Sequence, residues 1–112
     1  MAGPKIAILG GGMGGLSTAW HLSTDRWQDR YGSITVYQRG WRLGGKGASS
    51  RGREGRIEEH GLHVLLGYYH ETFRMMDACY TELDRPSNHP GCPIKGWADA
   101  VFPASDIGLA DR

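Results

Sequence analysis

The chain has 112 residues, with 13 basic against 12 acidic side chains for a formal net charge of +1, and 39% of its residues are hydrophobic. That length allows one small core, and the near-balanced charge argues against nucleic acid or an anionic membrane surface as partner. No apolar run approaches the ~18 residues of a membrane span, and the apolar segment near Met1 is too short for a signal-peptide core, so a cytoplasmic setting is expected.

The first element is a strand over Lys5-Ile-Ala-Ile-Leu9, and Gly10-Gly-Gly-Met-Gly-Gly15 follows it directly. Gly10, Gly12 and Gly15 have the G-x-G-x-x-G spacing of a nucleotide-binding βαβ unit. Each glycine has its own reason: a tight turn off the strand at Gly10, close approach of a pyrophosphate at Gly12, and close helix–sheet packing at Gly15. Leu16, Ala19 and Trp20 recur at helical spacing, which predicts a helix ending near Ser23 or Thr24. Its N-terminus presents unpaired N–H groups and a partial positive charge, a ready site for a diphosphate.

Trp27 and Tyr31 lie on a surface connection to the second strand, Ser33-Ile-Thr-Val-Tyr-Gln38. Its β-branched run is that of a parallel strand covered on both faces, and a right-handed crossover sets it beside the first. Near the strand's end, where dinucleotide folds carry an acid for the adenosine ribose, stands Gln38. Its amide oxygen accepts a ribose hydroxyl without the reinforcement of a charge.

A second glycine loop follows in Gly40-Trp-Arg-Leu-Gly-Gly-Lys46, where Arg42 and Lys46 bracket Gly44 and Gly45. The glycine pair permits backbone approach to a ligand, and the cations suit a diphosphate. Glu54 to Glu59 reads as an extended segment or hairpin arm. From Leu66, the series Tyr69, Phe73, Met76, Tyr80 and Leu83 predicts a helix with one apolar stripe, stopped by Arg85-Pro86. Residues 86–112 then form a Pro/Gly-rich extension without sustained period, in which Trp97, Val101 and Phe102 have no visible partner.

Cys79 and Cys92 are not spaced as a redox pair, and free thiols are expected. His60, His63, His89 and Cys92 include zinc-type donors, but the first two fall in glycine-rich, nucleotide-type sequence, and no metal site is expected. About three candidate strands are present where a full dinucleotide fold has five or six. The fold class is therefore α/β: a partial Rossmann-like unit over residues 1–85, with glycine-rich loops and a following helix, incomplete without additional chain.

Gly10 to Leu16, Arg42-Leu-Gly-Gly-Lys46 and Glu59-His-Gly-Leu-His63 with Gly67-Tyr-Tyr69 together resemble the N-terminal region of flavin-dependent desaturases and amine oxidases, especially phytoene and zeta-carotene desaturase-like proteins. The resemblance implies FAD. By position, Gly10, Gly12, Met13, Gly14 and Gly15 would hold the diphosphate, Gln38 and Arg39 the adenosine ribose, Arg42, Gly44, Gly45 and Lys46 the diphosphate side, and Gly61, Leu62 and His63 the flavin neighbourhood. It also implies hydride abstraction from a substrate C–H bond onto flavin N5, with His63 as a candidate proton carrier and no protein nucleophile. The family usually has Glu in place of Gln38, and its enzymes are several times longer. A second polypeptide completing the FAD and substrate sites is accordingly expected. A non-catalytic nucleotide-binding or regulatory subunit and an NAD(P)-binding module are the competing readings.

Overall fold

A computed structural model describes residues 3–105, which form two compact units divided between Leu65 and Leu66. The compositional change at Pro86 lies inside the second unit.

In the first unit, β1 (Lys5–Leu9) and β2 (Ser33–Tyr37) pair in parallel, with Lys5 opposite Ser33 and Leu9 opposite Tyr37. Between them in sequence runs the helix α1 (Met13–Leu22), which begins immediately after the glycine turn and is closed at Ser23 by N–H bonds to Ala19 and Trp20. This helix packs against both strands. It covers the face carrying Ile6, Ile8, Ile34 and Val36, among which Ile8 is buried.

The opposite face, with Ala7, Leu9, Thr35 and Tyr37, is exposed. Leu9 retains 84% of its accessible surface. The expectation of cover on both faces is thus met on one side only within the described residues: the apolar run of β1 is suited to two layers, and this unit supplies one helix. Beyond the second glycine loop, β3 (Ser50–Arg51) and β4 (Ile57–Glu58) form a short antiparallel hairpin, with Gly52 N–H donating to the Arg56 carbonyl at 2.8 Å.

In the second unit, α2 (His70–Leu83) carries Phe73, Met76 and Tyr80 on its less exposed side, and Glu71 pairs with Arg74 on the solvent side. The helix ends at Asp84, which takes the left-handed conformation with φ +40°. Arg85-Pro86 then opens the short helix α3 (Arg85–Asn88) instead of stopping the helical run. Proline suits a first helical turn because its missing N–H has no intrahelical partner there.

Trp97 also departs from expectation. Its ring packs on Phe73 with centroids 5.1 Å apart, whereas Phe102 remains 94% exposed.

Candidate functional site

The two glycine loops meet edge to edge. Where the β1–β2 ladder ends, Gly10 N–H donates to the Tyr37 carbonyl at 2.8 Å, and Gly11 N–H, one residue on, donates to the side-chain oxygen of Gln38 at 2.8 Å. Gly11 then turns its carbonyl to the second loop and accepts from Gly44 N–H at 2.7 Å, and Gly12 and Gly44 form a parallel bridge. A side-chain amide and two backbone bonds therefore hold both loops at the carboxyl end of the parallel strands, where ligands bind in open α/β sheets.

The glycines here divide by what forbids a side chain. Gly10 has φ +104° and Gly44 φ +107°, values that L residues rarely adopt. A Cβ on Gly15 would overlap the Gly10 carbonyl oxygen, and one on Gly45 would come within 3.0 Å of Gly12 Cα. The fold itself requires those four.

Gly12 and Gly14 are different. A Cβ on Gly14 would meet nothing within 4 Å, and one on Gly12 would touch only Gly45 Cα at 4.0 Å. Gly12 has φ −78° and ψ −175°, open to any residue, and Gly14 lies inside α1. Both positions leave free space beside the first turn of α1. No side chain caps α1 and its first turn contains no acid, so the partial positive charge of its leading N–H groups is uncancelled. Such a helix start suits an anion, and a backbone stripped of Cβ lets it come close.

Around this centre the other expected residues fall into three groups. Gln38 gives one lone pair of its side-chain oxygen to Gly11 N–H, so the residue expected at the ribose also latches the first loop. Arg39 is exposed and makes no hydrogen bond or ion pair among the described residues. In the second loop, Arg42 points its guanidinium back to the Ala48 carbonyl at 3.2 Å and Ser50 Oγ at 2.8 Å, bracing the loop. Lys46 is exposed with no partner on its ammonium among the described residues, and Met13 is half exposed beside Gly47.

His63 brings the third segment into contact with the second loop. Its Nε2 lies 3.1 Å from the Lys46 carbonyl and 3.3 Å from Glu59 Oε2. Both neighbours are acceptors, so Nε2 carries the proton and donates, leaving Nδ1 as the open lone pair of the neutral ring. Glu59 also accepts a hydrogen bond from Ser49 Oγ. The carboxylate thus stands between the hydroxyl and the imidazole.

Glu59 is a partner that sequence reading missed, although its four-residue offset from His63 was visible. Leu62 is 83% exposed and Gly61 has open space around it. Among the described residues no three His, Cys, Asp or Glu side chains are grouped to hold a metal ion, and both cysteines are free thiols.

A parallel β–α–β unit with a glycine-lined anion cradle at its helix N-terminus defines a dinucleotide-binding module. The chain belongs to the NAD(P)-binding Rossmann-like domains, whose family model matches residues 8–79. Among curated proteins it is similar to the zeta-carotene desaturases of Arabidopsis thaliana and Zea mays, each 40% identical over 72 residues, or 64% of this chain and 12% of theirs. The zeta-carotene desaturase of Synechocystis is 33% identical over 73 residues, 65% of this chain and 14% of its own. The chain thus spans about one-eighth of the length of these relatives. No solved structure matches it. The resemblance to carotene desaturase-like proteins drawn from the three motifs holds, and no helix among the described residues is long and apolar enough to cross a membrane.

Proposed function

We propose that this chain is the diphosphate-clasping portion of a flavin-dependent, desaturase-like oxidoreductase whose resident cofactor is FAD. The observation that carries this reading is the free space at Gly12 and Gly14: the fold has no use for glycine at either position, whereas an approaching diphosphate needs both. The paired second loop favours FAD over a nicotinamide, since a simple nicotinamide fold has no need of it. The names of the similar desaturases point the same way.

In this reading the N–H groups of Met13, Gly14 and Gly15 donate to the diphosphate, and Lys46 neutralises it from the second loop. Arg42 keeps that loop in shape. Gln38 and Arg39 mark the adenosine end, and Gly61, Leu62 and His63 lie toward the flavin ring. Bound there, a flavin supplies acceptance of a hydride from a C–H bond. His63 meets the Lys46 carbonyl through Nε2, with Glu59 Oε2 3.3 Å from the same nitrogen, which leaves Nδ1 as the ring nitrogen open to a ligand. The exposed sheet face with Leu9 and Tyr37 is where further protein, from this or another polypeptide, would pack as a second covering layer.

Titration of the full chain with FAD, followed by flavin fluorescence, tests the reading. Saturable binding that survives excess NAD and is lost in Gly12→Val supports it. Equal displacement by NAD points instead to the nicotinamide-binding module that the family description also covers. Binding indifferent to Gly12→Val would sink the diphosphate assignment.

A further inference from the structure

The second glycine loop is pinned at both ends and in the middle, and the middle pin comes from the third segment. On one side Gly44 N–H donates to the Gly11 carbonyl at 2.7 Å, and on the other Arg42 donates to the Ala48 carbonyl and to Ser50 Oγ. Lys46 stands between these anchors, flanked by Gly45 with φ +57° and by Gly47. Glycines on both sides leave the backbone free to take many directions, and ordering it costs entropy. Among the described residues, the side chain that reaches in to Lys46 is His63, whose Nε2 lies 3.1 Å from the Lys46 carbonyl across 17 residues of sequence.

His63 is itself held. Glu59 Oε2 lies 3.3 Å from the same nitrogen, and the other carboxylate oxygen accepts from Ser49 Oγ at the exit of the loop. Because Nε2 meets a carbonyl and a carboxylate, it is the protonated nitrogen and the donor. The Lys46 carbonyl is thereby fixed, and with it the point at which the lysine stem leaves the backbone. Its ammonium, without a partner among the described residues, is left to face an anion.

We propose that His63 is a positioning residue for the diphosphate end: through the Lys46 carbonyl it sets where that ammonium stands, and Glu59 keeps the imidazole in place to do so. The inference rests on the diphosphate reading above and adds a residue that acts on the anion without touching it. Linkage makes the effect reciprocal, so an anion held by Lys46 steadies the His63 contact in turn. The side chains of His63 and Glu59 remain 39% and 34% exposed, so water competes for these contacts and the expected change in affinity is moderate.

Inorganic pyrophosphate is the probe, titrated by calorimetry into the full chain and into Lys46→Ala, His63→Leu, His63→Gln and the Lys46→Ala/His63→Leu double variant. His63→Leu is expected to weaken pyrophosphate binding by roughly three- to tenfold, the worth of one such hydrogen bond. His63→Gln should recover most of that loss, because its amide N–H donates from nearly the place of Nε2. The double variant should bind no worse than Lys46→Ala alone, since His63 acts only through Lys46.

Nitrogen-edited spectra of the His63 ring read the contact directly. The ring should be the Nε2–H tautomer, and its signals should move on saturation with pyrophosphate in the unaltered chain but not in Lys46→Ala. Full affinity in His63→Leu, an equal loss in His63→Gln, or losses that add in the double variant overturns the positioning role and leaves the diphosphate reading intact. If the unaltered chain takes up no pyrophosphate, the diphosphate reading itself falls, and this inference with it.

Discussion

At Gly14 an added Cβ meets open space inside a helix, so Gly14→Ala should stabilise the chain by about 0.5–1 kcal/mol, the usual gain of alanine over glycine at such a position. The same methyl intrudes on the approach to the α1 N-terminus, and FAD affinity should fall by at least tenfold. Thermal unfolding and fluorescence titration on one variant read both effects. Gly15→Ala behaves oppositely, since its Cβ runs into the Gly10 carbonyl and stability drops before any ligand is considered. Ile8 offers a third residue-level test: as a buried side chain it should cost about 2–4 kcal/mol on truncation to Ala, whereas Leu9→Ala should stay within about 0.5 kcal/mol in the isolated chain. Denaturant midpoints of the two variants check the contrast.

The strand–turn–helix–strand order was legible because each piece is specified locally, by apolar runs, glycines and a 3.6-residue period. What escaped the sequence depended on contacts or on single backbone conformations. Gln38 read as a ribose acceptor because nothing in the chain order shows that Gly11 would claim its oxygen. Arg42 read as a ligand cation, yet its loop curls back so that the guanidinium braces Ala48 and Ser50. The break at Asp84 is invisible to any hydrophobic pattern, being one left-handed residue between two helical runs. Asp84→Gly should therefore stabilise the α2–α3 junction by about 0.5–1 kcal/mol, measured by thermal unfolding, because glycine adopts that conformation freely.

The short helical turn α4 (Trp97–Ala100) has a pH dependence of its own. Asp99 Oδ2 accepts from the Lys95 and Gly96 N–H groups, both at 2.9 Å, and first the Gly96 bond, then the Lys95 bond, lowers its pKa. A carboxylate depressed on folding stabilises the turn fully above its ordinary pKa, and that support is lost as pH falls through the lowered value. Hydrogen exchange at the Lys95 and Gly96 amides should accordingly show protection at neutral pH that disappears only in strong acid. Asp99→Ala should remove it at every pH.

For the molecule as a whole, the decisive quantity is apolar surface left uncovered. A two-stranded parallel ribbon with one helix leaves Ile8 as the one buried hydrophobic side chain among the described residues, while Leu9, Tyr37, Trp41 and Leu62 stay largely in water. Parallel sheets are stable when both faces are covered, and stable domains need more strands than this. Leu9→Asp should hence leave the secondary structure of the isolated chain unchanged by circular dichroism, yet abolish its association with whatever protein completes the sheet, measured by co-purification. Unimpaired association in that variant would place the completing surface elsewhere.

The seam between the two glycine loops carries a consequence for any attempt to retune this site. Because Gly44 N–H is bonded to Gly11 and a Cβ on Gly45 would come within 3.0 Å of Gly12 Cα, positions 44 and 45 form one mutational unit tied to the backbone of the first loop. A randomised library spanning both loops should return these two glycines together or not at all. Diversity would collect instead at Trp41, whose side chain is 91% exposed.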